Sequence, residues 1–93
     1  MDCAELRFSK HAFERMFQRG ISPDAIRSVI STGEIIASYP EDQPYPSFLL
    51  LGFLNGCPVH VVVAEGERIG ICTVITAYFP DPEHWGENFK RRR

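Results

Sequence analysis

The sequence has little cysteine, and what it has is scattered along the chain. The 93 residues include three cysteines, Cys3, Cys57 and Cys72, and no C-x-x-C pair. An odd number of distant cysteines argues against a disulfide framework and a zinc knuckle, and it favours a reducing compartment. We therefore expect a cytoplasmic protein with no bound metal and no cofactor.

A long hydrophobic run and an excess of positive charge are also missing. The longest apolar stretch, Phe48–Leu54, is interrupted by Gly52 and is too short to span a membrane. The N-terminal residues are acidic and contain no apolar core, so we expect no signal peptide. A net charge of -2 excludes a generally basic nucleic-acid binder, so any contact with nucleic acid must be local.

The composition that is present suits one small domain. Hydrophobic residues make up 44% of the chain and aromatic residues 12%, which is enough to form a core. A chain of this length buries a modest core, so a homodimer or a bound partner would add stability. We assign residues 1–93 to a single domain and expect the basic tail, residues 90–93, to be disordered.

The clearest element is a helix predicted within Phe8–Gly20. Ser9 can cap its first turn, and Gly20 can adopt the left-handed conformation that ends a helix. Apolar side chains recur every three or four residues and form one stripe, which consists of Ala12, Phe13, Met16 and Phe17. The predicted helix is therefore amphipathic.

Another face of this helix carries candidate chemistry. His11, Arg15 and Arg19 recur every four residues and stack on one side. A titratable imidazole beside two permanent cations is suited to binding and processing a phosphate group. The alternative is an ordinary solvated helix face, for which charged residues at this spacing are also typical.

A second helix and a series of strands follow. Ser22 and Pro23 start the helix and Gly33 ends it, so two helices with a short connection form a hairpin. Asn55-Gly56 predicts a two-residue type I′ turn between two strands. The predicted strands are Ala4–Phe8, Glu34–Tyr39, Ser47–Leu54, Cys57–Ala64 and Arg68–Phe79. We expect an α+β fold, with an N-terminal helical hairpin packed on a four- or five-stranded antiparallel β-sheet.

The alternation of the last two strands predicts which side chains share a face. Val61 and Ile75 fall on the apolar face, whereas His60, Thr76 and Tyr78 fall on the more polar one. A three-residue turn at 65–67 would place His60 opposite residue 72. Thr76 would then lie about 13 Å further along the strand.

Four segments of the chain resemble a known family. They are FSKHAFERMFQRGIS, TGEIIASYP, CPVHVVVAE and TVITAYFPDPEHW, and together they cover most of the sequence. They are similar to domain-of-unknown-function family 4258 (DUF4258), which in turn resembles the RelE/ParE-type toxin fold. The resemblance implies two helices on a twisted antiparallel sheet, RNA cleavage without a metal, and a small zinc-finger antitoxin as partner.

Metal-independent RNA cleavage requires an acid, a base and cations around the phosphate. His11 can serve as the acid or base, and Thr76 and Tyr78 can donate hydrogen bonds or position a base. Arg15, Arg19 and His60 are the candidate phosphate and RNA ligands. His60, Thr76 and Tyr78 are also residues that a sheet contains for structural reasons alone.

Two functions follow as hypotheses. The first is a toxin-type endoribonuclease that an antitoxin keeps silent. The second is a non-catalytic module of the same RelE-like fold, whose cationic helix holds an acidic segment of a partner protein. The net charge of -2 favours the second, and the His11/Arg15/Arg19 helix with the Thr76–Tyr78 strand favours the first.

Overall fold

The computed structural model describes residues 1–93, which form two helices and one five-stranded sheet. Both helices pack on one face of the sheet, and the strands follow the spatial order β1-β5-β4-β3-β2. The elements in chain order are β1 (Glu5–Phe8), α1 (Lys10–Arg19), α2 (Pro23–Thr32), β2 (Glu34–Tyr39), β3 (Ser47–Leu54), β4 (Cys57–Glu65) and β5 (Ile71–Tyr78). The predicted α+β class and the two helices with their short connection are confirmed, but the helices pack mainly on different strands, α1 on β5 and α2 on β3 and β4. Neither helix is long or apolar enough to cross a membrane.

The ends of the helices lie where the sequence placed them. Ser9 Oγ accepts a hydrogen bond from the Ala12 N–H at 3.0 Å, and Ser22 caps α2 in the same way. Gly20 has φ of 68°, the left-handed conformation that closes α1. Because these signals are local in the chain, they can be recognised without tertiary information.

The prediction of a fully antiparallel sheet is wrong at one edge. β2, β3, β4 and β5 pair antiparallel, but β1 pairs parallel with β5, with Leu6 opposite Cys72. A four-residue strand carries no sequence signal for its partner. The fold brings the first and the last strand together here, and only that placement sets the direction of pairing.

The core confirms the predicted faces of β4 and corrects those of β5. Val61 is fully buried on the helix side, as expected. Ile75, however, is 37% exposed, because β5 bulges there and two of its residues lie opposite Val62. The bulge shifts the alternation by one residue, so Cys72 and Val74 before it point into the core, whereas Ala77 after it lies on the predicted apolar face. The predicted burial of Ile75 is therefore wrong.

The register between β4 and β5 also differs from the prediction. The connection between these strands spans residues 66–70, not three residues, and β5 starts at Ile71. His60 consequently lies opposite Tyr78 and not opposite Cys72. At the other end of β4, Asn55 and Gly56 both have positive φ, as the predicted two-residue hairpin turn requires.

A disulfide joins Cys3 to Cys72, which the sequence argued against. The two residues are 69 positions apart in the chain, but the parallel pairing of β1 with β5 brings their Cα atoms to 5.7 Å. Chain spacing alone could not reveal this proximity. The bond also removes the basis on which the cysteines suggested a reducing compartment.

Reducing this disulfide should destabilise the protein. A bond that closes a loop of this length restricts the unfolded chain, and such bonds typically contribute about 2–4 kcal/mol to the free energy of unfolding. We expect dithiothreitol to lower the urea midpoint of the wild type and to leave that of Cys3→Ser unchanged. Three titratable thiols in the untreated wild-type protein would contradict the pairing.

The C-terminal segment covers part of the opposite face of the sheet. Trp85 is buried there, with its ring centroid 4.4 Å from that of His60. The last residue folds back as well, since the Arg93 N–H donates to the His84 carbonyl at 2.9 Å. Backbone hydrogen bonds thus position the tail, residues 90–93, which we expected to be disordered. Its basic composition does not indicate these bonds.

Candidate active site

The outer edge of β5 begins the candidate site. β1 pairs only with residues 71–74, so this edge has no strand partner from Ile75 onward. Two side chains occupy it: Ser9 Oγ donates to the Ile75 carbonyl at 3.2 Å, and Arg19 Nη1 donates to the Ala77 carbonyl at 2.7 Å. A guanidinium has five N–H donors, so Arg19 keeps others for a ligand.

The turn after β5 supplies a paired histidine. The Asp81 carboxylate accepts from the Glu83 N–H at 2.8 Å and lies 3.2 Å from His84 Nδ1. The hydrogen bond from Glu83 is the main cause that lowers the pKa of Asp81, and the bond with His84 acts in the same direction. An ionised carboxylate only accepts, so His84 carries its proton on Nδ1 and presents Nε2 outward from the pair.

Tyr78 is held by a buried histidine on the neighbouring strand. His60 Nε2 lies 2.8 Å from the Phe89 carbonyl, and His60 Nδ1 lies 3.2 Å from the Tyr78 hydroxyl. A carbonyl can only accept, so Nε2 carries the proton and neutral His60 offers the lone pair of Nδ1. The Tyr78 hydroxyl donates to that lone pair. Phe89 itself has φ of 60°, which a bulky residue rarely adopts.

Burial keeps this pair uncharged. Desolvation lowers the pKa of His60, and the hydrogen bond to Phe89 opposes that effect. Desolvation likewise raises the pKa of Tyr78; Tyr39 adds to the rise and Arg92 reduces it. At neutral pH the phenol therefore keeps its proton, and neutral His60 accepts a hydrogen bond from it.

The C-terminal segment adds a second cation. The Arg92 guanidinium carbon lies 5.4 Å from the centroid of the Trp85 ring, a cation–π distance. A backbone bridge between Arg92 and Trp85 fixes this part of the tail. Arg92 thereby reaches the same cleft as Arg19, although the two are far apart in sequence.

These groups line one open cleft of about 460 Å³, which we call the Tyr78 cleft. Its lining residues are Arg19, Tyr78, Phe79, Asp81, His84, Trp85 and Arg92. The cleft contains two arginines and one histidine but only one carboxylate, so it suits an anion. It joins a phenol, a carboxylate-paired imidazole and two guanidinium groups, which can together bind a phosphate and move protons around it.

The structure brings together only some of the residues that the sequence proposed. Tyr78 and Arg19 line the cleft, and His60 supports Tyr78 from a fully buried position. The other three do not line it. His11 is exposed on α1, Arg15 donates to the Gln18 side chain at 3.0 Å, and Thr76 lies opposite Val62 on β4.

Three charged or titratable residues of the cleft were not predicted as site residues from the sequence: Asp81, His84 and Arg92. Asp81 follows Pro80, and His84 lies three positions further along the chain. A carboxylate and an imidazole at this spacing in a turn are a weak but visible signal. Arg92 carried no signal, since it lies in a tail expected to be disordered. No group of three or more His, Cys, Asp or Glu side chains is arranged to hold a metal ion.

The lowered pKa of His60 makes stability sensitive to acid. The unfolded chain takes up a proton on this residue near its ordinary pKa of 6.5, whereas the folded state does so only at lower pH. Stability should therefore fall as the pH drops below about 6.5, until the folded-state pKa is passed. We expect urea unfolding at about pH 7 and 5 to show a larger loss in the wild type than in His60→Gln. Equal losses would contradict a buried neutral His60.

The fold and the cleft define a small α+β domain with a mixed five-stranded sheet and a candidate phosphate site at the end of β5. A family model described as "Domain of unknown function (DUF4258)" matches residues 8–79, so the chain belongs to that family. No curated protein and no solved structure matches it. The matched region contains Arg19 and Tyr78, whereas Asp81, His84 and Arg92 follow it.

Proposed function

We propose that this protein is a toxin-type endoribonuclease that cleaves RNA in the Tyr78 cleft. The observation that carries the proposal is the convergence of Arg19, Arg92, Tyr78 and the Asp81–His84 pair on one open cavity. Arginines bind the phosphate and stabilise the negative charge that develops on its oxygens. The RelE-like resemblance of the sequence supports the same class of activity.

The reaction is an attack of the RNA 2′-hydroxyl on its neighbouring phosphorus. The 2′-hydroxyl gives its proton to the Tyr78 oxygen while Tyr78 passes its own proton to His60 Nδ1, to which it is already hydrogen-bonded. His84, in its protonated form beside the Asp81 carboxylate, gives a proton to the departing 5′-oxygen. The new P–O bond replaces the one that breaks, and the products are a 2′,3′-cyclic phosphate and a 5′-hydroxyl.

The test is a cleavage assay on a single-stranded RNA in the presence of a chelator. We expect cleavage with cyclic-phosphate ends, and no cleavage of the same sequence made as DNA, because DNA lacks the attacking hydroxyl. Arg92→Gln should weaken RNA binding and reduce its dependence on salt. Arg15→Gln is the matched control, since Arg15 lies outside the cleft.

Growth of a bacterial host after induced expression provides the second readout. The toxin hypothesis requires wild-type expression to arrest growth and to degrade RNA. A wild-type protein free of any partner that neither arrests growth nor cuts RNA would contradict the proposal. Cleavage of the all-DNA strand would contradict the mechanism.

We further propose a cytoplasmic location and a small zinc-finger antitoxin as the partner. RNA is present in the cytoplasm, but disulfides are uncommon there. Trapping the thiols of Cys3 and Cys72 at lysis would show whether their bond exists in the cell. Co-purification with a zinc-containing protein encoded by a neighbouring gene would identify the antitoxin.

A non-catalytic binding module is the second candidate, and one feature of α1 favours it. Phe17 is 90% exposed and Phe13 is 51% exposed on this helix, beside basic side chains. An exposed aromatic surface next to cations fits a partner with apolar and acidic residues, or a second copy of the chain. Light scattering of wild type and Phe17→Ser would reveal a homodimer that uses this surface.

A further inference from the structure

A second cavity adjoins the Tyr78 cleft, and one aromatic ring is common to both. Phe79 lines the Tyr78 cleft and also a neighbouring cavity of about 480 Å³, which we call the Phe53 cavity. Arg19 belongs to the first and Gly20, the next residue in the chain, to the second. The two cavities therefore adjoin at Phe79, just past the end of β5.

The two cavities differ in chemistry. The Phe53 cavity is lined by Gly20, Ser22, Ala25, Phe53, Leu54, Asn55, Cys57 and Phe79, and none of these is an acidic or basic residue. Two of them are exposed aromatic rings, with Phe53 at 60% and Phe79 at 45%. Ser22 and Asn55 add a hydroxyl and an amide. The surface is thus aromatic and weakly polar beside a cleft that is cationic.

This sequence of surfaces matches a nucleotide. A nucleobase has a flat apolar face that stacks on an aromatic ring, and edges that exchange hydrogen bonds with hydroxyl and amide groups. Its phosphate is the anion that the neighbouring arginines suit. Each cavity lies within the size range of ordinary small-molecule sites. In a duplex both faces of a base are already stacked, so only an unpaired base can use the ring of Phe79.

We propose that Phe79 and the Phe53 cavity form a base-binding subsite, which restricts the protein to single-stranded RNA. The inference rests on the proposed function of the Tyr78 cleft. The nucleotide next to the phosphate in that cleft stacks its base on Phe79, and Ser22 and Asn55 contact the edge of the base. Phe79 is then a specificity-determining residue that makes no contribution to proton transfer.

Fluorescence anisotropy with short 2′-O-methyl RNA tests this subsite, because that RNA binds without being cut. Three probes are compared: the single strand, its duplex, and a strand of the same length in which every nucleotide is abasic. Wild type should bind the single strand more tightly than the duplex or the abasic strand. Phe79→Leu should weaken binding of the single strand by at least about fivefold and leave the abasic strand unaffected.

The matched controls separate stacking from other effects. Phe17→Leu makes the same change at an exposed phenylalanine outside both cavities, and it should bind all probes as wild type does. Phe79→Trp keeps an aromatic ring and should retain binding of the single strand. If the midpoint of thermal unfolding of Phe79→Leu is well below that of the wild type, this variant is not used. Binding of the single and abasic strands is then compared between Phe79→Trp and the wild type.

Each outcome is decisive. If Phe79→Leu binds the single strand as tightly as the wild type does, the proposed subsite is wrong. It is also wrong if the wild type binds the single and abasic strands equally. A Phe79→Leu variant that binds RNA normally but loses a co-purifying protein would assign the surface to a protein partner and also overturn it. If Arg92→Gln binds every probe as the wild type does, the proposed function of the Tyr78 cleft is wrong. This outcome is distinct from a failure of the base-binding subsite, which the Phe79 variants test.

Discussion

His84→Gln should lower the rate of RNA cleavage by about a hundred- to ten-thousand-fold, the usual loss when general acid–base catalysis is removed. Glutamine keeps a polar side chain near Asp81 but cannot carry a proton to the departing oxygen. The side chain of His84 is 68% exposed, and an exposed ion pair contributes little to stability. Thermal unfolding of the variant should therefore resemble that of the wild type.

His11→Gln is the matched control for this variant. His11 is also an exposed histidine, but it lies on α1 and does not line the Tyr78 cleft. Cleavage rates measured for both variants, on the same RNA and across pH, decide between the two sites. We expect His11→Gln to remain active. A loss of activity in His11→Gln with full activity in His84→Gln would move the site to the face of α1 with Arg15.

The other side of the proton transfer can be tested with Tyr78→Phe. Removing the hydroxyl breaks the hydrogen bond to His60 Nδ1 and removes the group that relays the 2′-hydroxyl proton to His60. Activity should fall while RNA binding, which depends on Arg19 and Arg92, is retained. A variant with normal turnover would exclude Tyr78 from the reaction and leave it a supporting role in the sheet.

Leu50→Ala should lower the free energy of unfolding by about 2–5 kcal/mol, the range for a leucine deleted from a packed core. Leu50 is fully buried in the cluster between the helices and the sheet, where it lies opposite Val61 on β4. The cost combines the lost apolar burial with the cavity that remains. For a domain of this size the midpoint of thermal unfolding should fall by at least about 8 °C.

Leu54→Ala provides the comparison on the same strand. Leu54 is half-buried at the end of β3 and packs against the edge of the core, so less contact is lost. Urea unfolding of both variants should give a clearly smaller change for Leu54→Ala. Equal changes would mean that the core does not centre on Leu50.

The helices and their ends could be predicted because their signals are local. Ser9, Gly20 and Ser22 each act on backbone groups within a few residues. The turn at Asn55–Gly56 is local as well, since both residues supply their own positive φ. The period of two on β4 identified its buried face correctly, because no bulge interrupts that strand on the side facing β3.

The candidate site could be predicted only in part, for a related reason. Tyr78 and Arg19 attracted attention by residue type, and both line the cleft. The regular spacing of His11, Arg15 and Arg19 suggested that they act together, but of the three only Arg19 lines the Tyr78 cleft. Arg19 reaches the open edge of β5, whereas His11 and Arg15 remain on the outer surface of α1.

The sequence by itself determined the α+β class, both helices, the hairpin turn and two members of the cleft. The tertiary structure alone decided the parallel pairing of β1 with β5, the Cys3–Cys72 bond, the bulge at Ile75 and the position of the C-terminal segment. Caps and turns depend on neighbouring residues, which the chain always keeps together. Strand partners, bulges and cavities depend on residues distant in sequence, whose separations are set only when the whole core packs.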